Sequence, residues 1–259
     1  MKFLTLILSF SLFSPQLFAS TTLWGEEVSV GQGMARSYVE VDDANEPLSL
    51  GISLTGGVLN GLPDQMHQYD YMLPLPKIVC LPPYKYAMLN WNPHGHDPVE
   101  IYGKPHFDFH FYTIPNDVRE KITCTGDDEA TCMKMPSSDY IPAYYSPTPA
   151  GVPMMGWHWF DTRSGEFHGQ PFTSTLIYGF YDGKVAFVEP MITREFLQSH
   201  GTVDADIPAP AKVADDGYYP QHYNLDYDSV QDRFMIRLDH FTYKSAESGK
   251  TARQYHPAP

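Results

Sequence analysis

The chain has 259 residues, with 17 basic and 31 acidic side chains and a formal net charge of -14. Because nucleic-acid binding and adhesion to anionic lipid both need a basic surface, this composition argues against either partner. Hydrophobic residues make up 42% of the chain and aromatic residues 14%. That is enough apolar material for a sizeable core, so a globally disordered chain is excluded.

The first residues have the pattern of an export signal. Lys2 precedes an almost unbroken apolar run over residues 3–13, and Ala19 is a small residue at a plausible cleavage point. The run is too short to cross about 30 Å of hydrocarbon as a helix. We predict a signal peptide over residues 1–19, with an uncleaved anchor as the alternative. A single mature domain over residues 20–259 would then be periplasmic or secreted, without membrane insertion.

The mature chain is predicted to be β-rich, because its 23 Pro, 19 Gly and 18 Tyr disfavour helices. Alternation or β-forming composition marks strands or extended segments at residues 35–41, 48–54, 62–91, 106–112, 156–160, 173–181, 184–188, 223–228 and 233–243. Asp182-Gly183 suits a tight hairpin turn. Short helical turns are expected at 118–123 and 191–199, with Thr193 as a cap, and loops at 137–153 and 202–217. The predicted fold is all-β, an antiparallel barrel or sandwich with a few short peripheral helices.

Three cysteines are consistent with export. Cys124 and Cys132 flank an acidic loop, and in an oxidising compartment we predict a disulfide between them. Cys80 lies in an apolar string and is expected to be a small buried hydrophobe. The acidic run at 127–129 is interpreted as a solvated loop, since it lacks the ligand spacing of a known calcium loop.

The strongest chemical signal is the strand predicted at residues 106–112. His106, Asp108 and His110 share one face of it, and three Phe side chains share the other. If the polar face is buried, its groups need hydrogen-bonding partners or a metal. Neutral imidazole and carboxylate are ligands of zinc and of non-haem iron, so we predict a divalent metal, zinc first and iron as the alternative. A polar network without metal stays open.

Strand geometry limits which residues share an ion. Residues i and i+2 lie about 6.6 Å apart and i and i+4 about 13 Å apart, whereas a metal lies about 2 Å from a ligand nitrogen. His106 and His110 therefore converge only on a bent strand, or else Asp108 stands behind the ligands and orients an imidazole. Further ligands must come from other strands, and His96 and His158 are the best placed.

Two further patterns leave alternatives open. His94, His96 and Glu100 have the spacing of the first cupin metal motif, but the second motif is not found, and a turn at this Gly- and Pro-containing string is the favoured interpretation. Glu189 follows a hairpin strand. It is a candidate general base or metal ligand, or a strand-end carboxylate paired with a nearby cation.

Four strings, WNPHGHDP, PHFDFHFY, MGWHWFD and IYGFYDGKVAFVEPMIT, occur in that order. Together they resemble a bacterial family catalogued mainly as a domain of unknown function, over residues 51–197. The resemblance implies a compact β-rich homo-oligomer with an HxDxH metal site and no established reaction. By that resemblance His106, Asp108 and His110 match the motif, while the neighbouring strings contribute His96, His158 and Glu189.

Two classes of function follow. The first is an exported metal-binding protein, loaded with zinc. The second is a metalloenzyme, either a zinc hydrolase or hydratase or a cupin-like non-haem iron oxygenase, acting on a small-molecule substrate that the sequence does not identify. An open coordination position would favour the enzyme, and a closed shell of four ligands would favour the binding protein.

Overall fold

A computed structural model describes residues 20–77 and 81–246 of the chain. The predicted signal peptide and Cys80 lie outside these described residues. Within them the strands are β1 (Thr21–Trp24), β2 (Val28–Val30), β3 (Gly33–Val41), β4 (Pro47–Thr55), β5 (Tyr69–Pro74), β6 (Tyr86–Asn92), β7 (His106–Tyr112), β8 (Tyr145–Pro147), β9 (Trp157–Asp161), β10 (Ser174–Tyr181), β11 (Lys184–Thr193), β12 (Val203–Asp206), β13 (Gly217–Tyr219), β14 (His222–Asp228), β15 (Arg233–Asp239) and β16 (Thr242–Lys244).

The helices are short and lie in the connections between strands. They are α1 (Val99–Tyr102), α2 (Asn116–Arg119), α3 (Glu129–Cys132) and α4 (Arg194–Gln198), with 3-10 turns at Gly56–Leu59, Gly126–Asp128, Ser138–Tyr140 and Gly165–His168. Among the residues that the structure describes, no helix has the length and apolar character needed to span a membrane.

Two antiparallel sheets form a sandwich. The first sheet has the order β1-β3-β4-β15-β14-β12, with β2 paired to β3, and the second has the order β5-β6-β7-β11-β10-β9-β8. A further small sheet pairs β13 with β16. One continuous apolar core draws on both large sheets. Over residues 20–77 and 81–246 neither sheet closes on itself, so the sandwich is confirmed and the barrel is not.

Strand β7 lies inside the second sheet, between β6 and β11, and its two faces have different environments. Phe107, Phe109 and Phe111 are fully buried in the core against the first sheet. Because side chains alternate along a strand, the other face carries His106 and His110. The predicted division into an apolar and a polar face is confirmed, and the polar face is buried as well. That burial sets the chemistry of the site.

Several local predictions are confirmed. Asp182 and Gly183 join β10 to β11 with φ angles of 50° and 73°, as a primed hairpin turn requires. The hydroxyl of Thr193 accepts a hydrogen bond from the backbone N–H of Phe196 and caps α4. The disulfide between Cys124 and Cys132 is present, with Cα atoms 5.1 Å apart. It is compatible with an extracellular location.

Other segments differ from the prediction. The long loop predicted at 137–153 contributes β8, and the loop predicted at 202–217 contributes β12. Both are edge strands, and both are short, with three residues in β8 and four in β12. The residues expected to begin a helix at 191 continue β11, and α4 begins only at Arg194. In the acidic loop, Asp128 accepts hydrogen bonds from two backbone N–H groups, which supports the loop interpretation.

Candidate metal centre

The polar face of the second sheet collects ligand-type side chains from three strands and one loop. Strand β7 contributes three of them, β9 and β11 contribute one each, and the loop before α1 contributes the sixth: His106, Asp108, His110, His158, Glu189 and His96. Four of the six are almost completely buried, since the exposed fraction is 0% for His106 and His110, 1% for Asp108 and 2% for Glu189. Charged and polar groups at such depth require partners.

The six side chains form two groups of three rather than one. His96, His106 and Asp108 form the first group, and His110, His158 and Glu189 form the second. Within each group the ligand atoms all lie within 4.8 Å of one another. Each group therefore contains two imidazoles and one carboxylate, a ligand set suited to zinc and to non-haem iron.

The first group is held in place by backbone carbonyls. The Nδ1–H of His106 donates to the carbonyl of Lys104 at 2.7 Å, and the Nδ1–H of His96 donates to the carbonyl of Asp97 at 2.9 Å. These bonds leave Nε2 of both rings unprotonated in the neutral tautomer. Nε2 of His106 lies 3.1 Å from Oδ1 of Asp108. Oδ2 of Asp108 accepts a hydrogen bond from Asn92 at 2.7 Å, so one oxygen is anchored and the other faces the ring.

The second group is assembled by the register of the sheet. Val188 pairs with Phe111 and Met191 with Asp108, so the residue opposite His110 on β11 is Glu189. Nε2 of His110 lies 3.4 Å from Oε2 of Glu189, and Nε2 of His158 lies 3.7 Å from the same oxygen. One carboxylate oxygen thus faces two imidazole nitrogens.

Several of these close atoms have no hydrogen-bond partner. They are Nε2 of His106, Oδ1 of Asp108, both ring nitrogens of His110, Nδ1 of His158 and Oε2 of Glu189. Each buried polar atom left without a partner destabilises the fold by about 1–3 kcal/mol. Two atoms bound to one zinc ion at about 2.0–2.1 Å and at tetrahedral angles lie about 3.3 Å apart. The observed separations are 3.1 Å in the first group and 3.4 and 3.7 Å in the second. Each group therefore has the spacing that suits one cation shared by its own ligand atoms.

Burial and charge set the protonation of the first group. Burial disfavours ionisation of Asp108, but His106 and the other nearby imidazoles outweigh it and lower the carboxyl pKa to about 2. Burial also opposes the charged form of His106, yet the Asp108 carboxylate and the Lys104 carbonyl leave its pKa raised. Asp108 is therefore an anion at neutral pH, able to neutralise either a proton on His106 or a metal ion.

In the second group burial dominates. It lowers the pKa of His110 to about 3 and that of His158 to about 4, so both rings are neutral at pH 7, the form in which imidazole binds metals. Burial, together with the charge of Asp108, raises the pKa of Glu189 well above its usual value. The Glu189 carboxyl consequently holds a proton that a bound cation would displace.

The cupin-like spacing does not assemble into a site. His94 is exposed and lies 3.4 Å from the carboxylate of Asp64, and it belongs to neither group. Glu100 lies on α1 and lines a surface cleft. His96 alone joins the first group. The turn interpretation of this string is supported by Gly95, which has a positive φ of 69°.

The role of Asp108 as an orienter of an imidazole stays a prediction. The carbonyl of Lys104 holds Nδ1 of His106. Oδ1 of Asp108 faces the opposite ring nitrogen, Nε2, at 3.1 Å. Sequence reasoning missed Asn92, which pairs with His106 across β6 and β7 and anchors the carboxylate.

A cleft of about 180 Å³ adjoins the first group. Lys104 and Phe172 belong to its wall, and both contact His106, the first through its carbonyl and the second through its ring at 5.4 Å between centroids. Glu166, which accepts a hydrogen bond from the Tyr102 hydroxyl, also lines it. Solvent thus comes within one side chain of the first group.

A third set of His222, Asp239 and His240 lies on the first sheet. It differs from the buried groups because Arg237 and Asn224 both donate hydrogen bonds to Oδ2 of Asp239. His240 is largely exposed. Oδ1 of Asp239 has no hydrogen-bond partner, and the ring nearest to it is that of the exposed His240, at 3.0 Å.

Comparison of the chain with protein-family models, with curated proteins and with solved structures found no match. The resemblance to a bacterial family therefore stays a prediction, and the functional argument depends on the geometry alone.

Proposed function

We propose that this chain is an exported metal-binding protein that holds a divalent cation through His96, His106 and Asp108. One observation carries the proposal: the buried Nε2 of His106 and Oδ1 of Asp108 lie 3.1 Å apart, and neither atom has another hydrogen-bond partner. Both imidazoles have their other nitrogen committed to a backbone carbonyl. Metal-binding histidines typically have this second hydrogen bond, which fixes the tautomer.

Zinc is the proposed ion, and iron is the alternative. Imidazole and carboxylate suit both, but zinc has no redox chemistry and imposes no geometry through its d electrons. The export signal predicted over residues 1–19 and the disulfide together support a periplasmic or secreted protein. A redox-inert ion is the better match to an oxidising compartment.

A metalloenzyme is the second candidate, favoured by the number of ligands. The first group supplies three protein ligands, whereas structural zinc sites are closed by four. A zinc ion held by three residues retains a position for water and lowers the pKa of that water. In such an enzyme Lys104 and Asn92 would hold the ligands rigid, and the adjoining cleft would admit the substrate.

Asp108→Asn tests the metal site. After metal is removed with a chelator, zinc should raise the thermal stability of the parent, by about 2.7 kcal/mol at a concentration 100 times the Kd. Because Asp108 supplies the only charge of the first group, Asp108→Asn should weaken zinc binding there by more than about 100-fold, beyond the loss typical of a residue behind the ligands. The measurement is a competition titration monitored by thermal unfolding.

The matched control is Asp43→Asn, because Asp43 is an exposed carboxylate far from the site in sequence. The Asp43→Asn protein should bind zinc with the affinity of the parent. Loss of only 10–100-fold would return Asp108 to the role of an orienting residue. A parent that gains no stability from zinc or from ferrous iron would refute the proposed function.

A further inference from the structure

We propose that the centre binds two metal ions in each chain, the second ion being held by His110, His158 and Glu189. The inference extends the proposed function, since it adds a neighbouring ion to the one assigned to the first group. It gives Glu189 the role of a ligand, in place of a general base or a carboxylate paired with a cation. The ligand that this second site would take is a divalent cation of the zinc class.

The unpaired atoms of the second group carry the argument. Neither ring nitrogen of His110 has a hydrogen-bond partner, nor has Oε2 of Glu189, although both residues are buried. A metal-free polar network would align these atoms as donors and acceptors, because an unpaired buried polar group is destabilising. Instead, two imidazole nitrogens approach the same carboxylate oxygen at 3.4 and 3.7 Å. A single cation between the three side chains would bind Nε2 of His110, Nε2 of His158 and Oε2 of Glu189.

One ion cannot serve all six side chains. Ligand atoms on a common zinc ion are at most about 4.2 Å apart, twice the bond length. Even at 4.8 Å the six ligand-type residues form two sets of three rather than one set, and each set contains its own carboxylate. Asp108 and His110 belong to different sets although they are only two residues apart on β7. Each ion would thus have two imidazoles and one negative charge.

The surroundings of the second group fix its imidazoles in place. The ring of Phe187 packs edge-on against His110 and His158, with centroid distances of 4.6 and 5.3 Å. Gly179 lies opposite both Phe187 and His158 in the sheet, and a Cβ there would lie 2.1 Å from the Phe187 ring. Because Gly179 has no side chain, the Phe187 ring has room to pack against both His110 and His158.

Stoichiometry tests the second ion. The full chain, stripped by chelator, is titrated with zinc alone and bound zinc is counted by equilibrium dialysis. We expect two equivalents for the parent, one for Glu189→Gln, one for Asp108→Asn and none for the double variant. The control Glu129→Gln changes an exposed carboxylate on α3 and should keep two. If Glu189→Gln fails to fold, His158→Gln on β9 provides the same test.

Three other results would contradict either the second ion or the proposed function. One equivalent in the parent that Asp108→Asn removes and Glu189→Gln leaves intact would overturn the second ion while upholding the proposed function. One equivalent that both variants remove would indicate a single shared ion and also overturn the inference. No bound zinc in the parent would refute the proposed function itself.

Discussion

His106→Ala should weaken zinc binding at the first group by more than about 100-fold and should also destabilise the metal-free protein. The ring provides Nε2 to the centre and is held by the Lys104 carbonyl, so no neighbouring group can replace it. Removing it takes away the ring closest to the buried Asp108 carboxylate, and loss of one partner of such a buried pair typically lowers the free energy of unfolding by about 3–5 kcal/mol. A zinc competition titration measures the change in affinity. Denaturant unfolding after metal removal with a chelator measures the change in stability of the metal-free protein.

The control for this prediction is His200→Ala. His200 is exposed, follows α4 and stacks on Tyr227 of the first sheet, on the other side of the core. We expect parent-like zinc affinity from it. If His106→Ala keeps the affinity of the parent, the first group is not the binding site.

Phe109→Ala should be among the most destabilising single substitutions in the sandwich. Phe109 is fully buried and belongs to the apolar core that joins the two sheets. Truncation of a buried phenylalanine leaves a cavity and lowers the free energy of unfolding by about 3–5 kcal/mol. The measurement is denaturant-induced unfolding of the protein with zinc held at a fixed concentration, since bound metal itself shifts stability.

Val230→Ala provides the comparison, because Val230 is 94% exposed in the β14–β15 turn. Its effect should stay within about 0.5 kcal/mol, as for most surface changes. A loss below about 1 kcal/mol for Phe109→Ala would mean that the face of β7 opposite the histidines is not part of a packed core.

Strand β7 could be predicted because its pattern is local. Strict alternation over residues 106–112 needs only the period of a β-strand, and the Asp182-Gly183 turn needs only two residues that tolerate positive φ. Both were predicted at the right positions. Edge strands β8 and β12 were missed because they have only three and four residues, too few for a pattern to stand out from the surrounding loops.

The site was only partly predictable, for a related reason. The sequence indicates which side chains can bind metal, and all six candidates lie on one buried face. Their division into two groups follows from the register between β7 and β11, which sets Glu189 opposite His110. Register depends on tertiary packing, so the sequence left Glu189 with several roles. Asn92 was missed because its carboxylate partner is sixteen residues away along the chain.

Elemental analysis of the protein as purified, in buffers without chelator or added metal, tests the central claim most directly. The account predicts zinc as the main transition metal, close to two ions per chain, with removal by a strong chelator and loss from the double variant Asp108→Asn, Glu189→Gln. A parent protein that is folded, as judged by cooperative unfolding, and that contains no transition metal and takes up none on addition would contradict it.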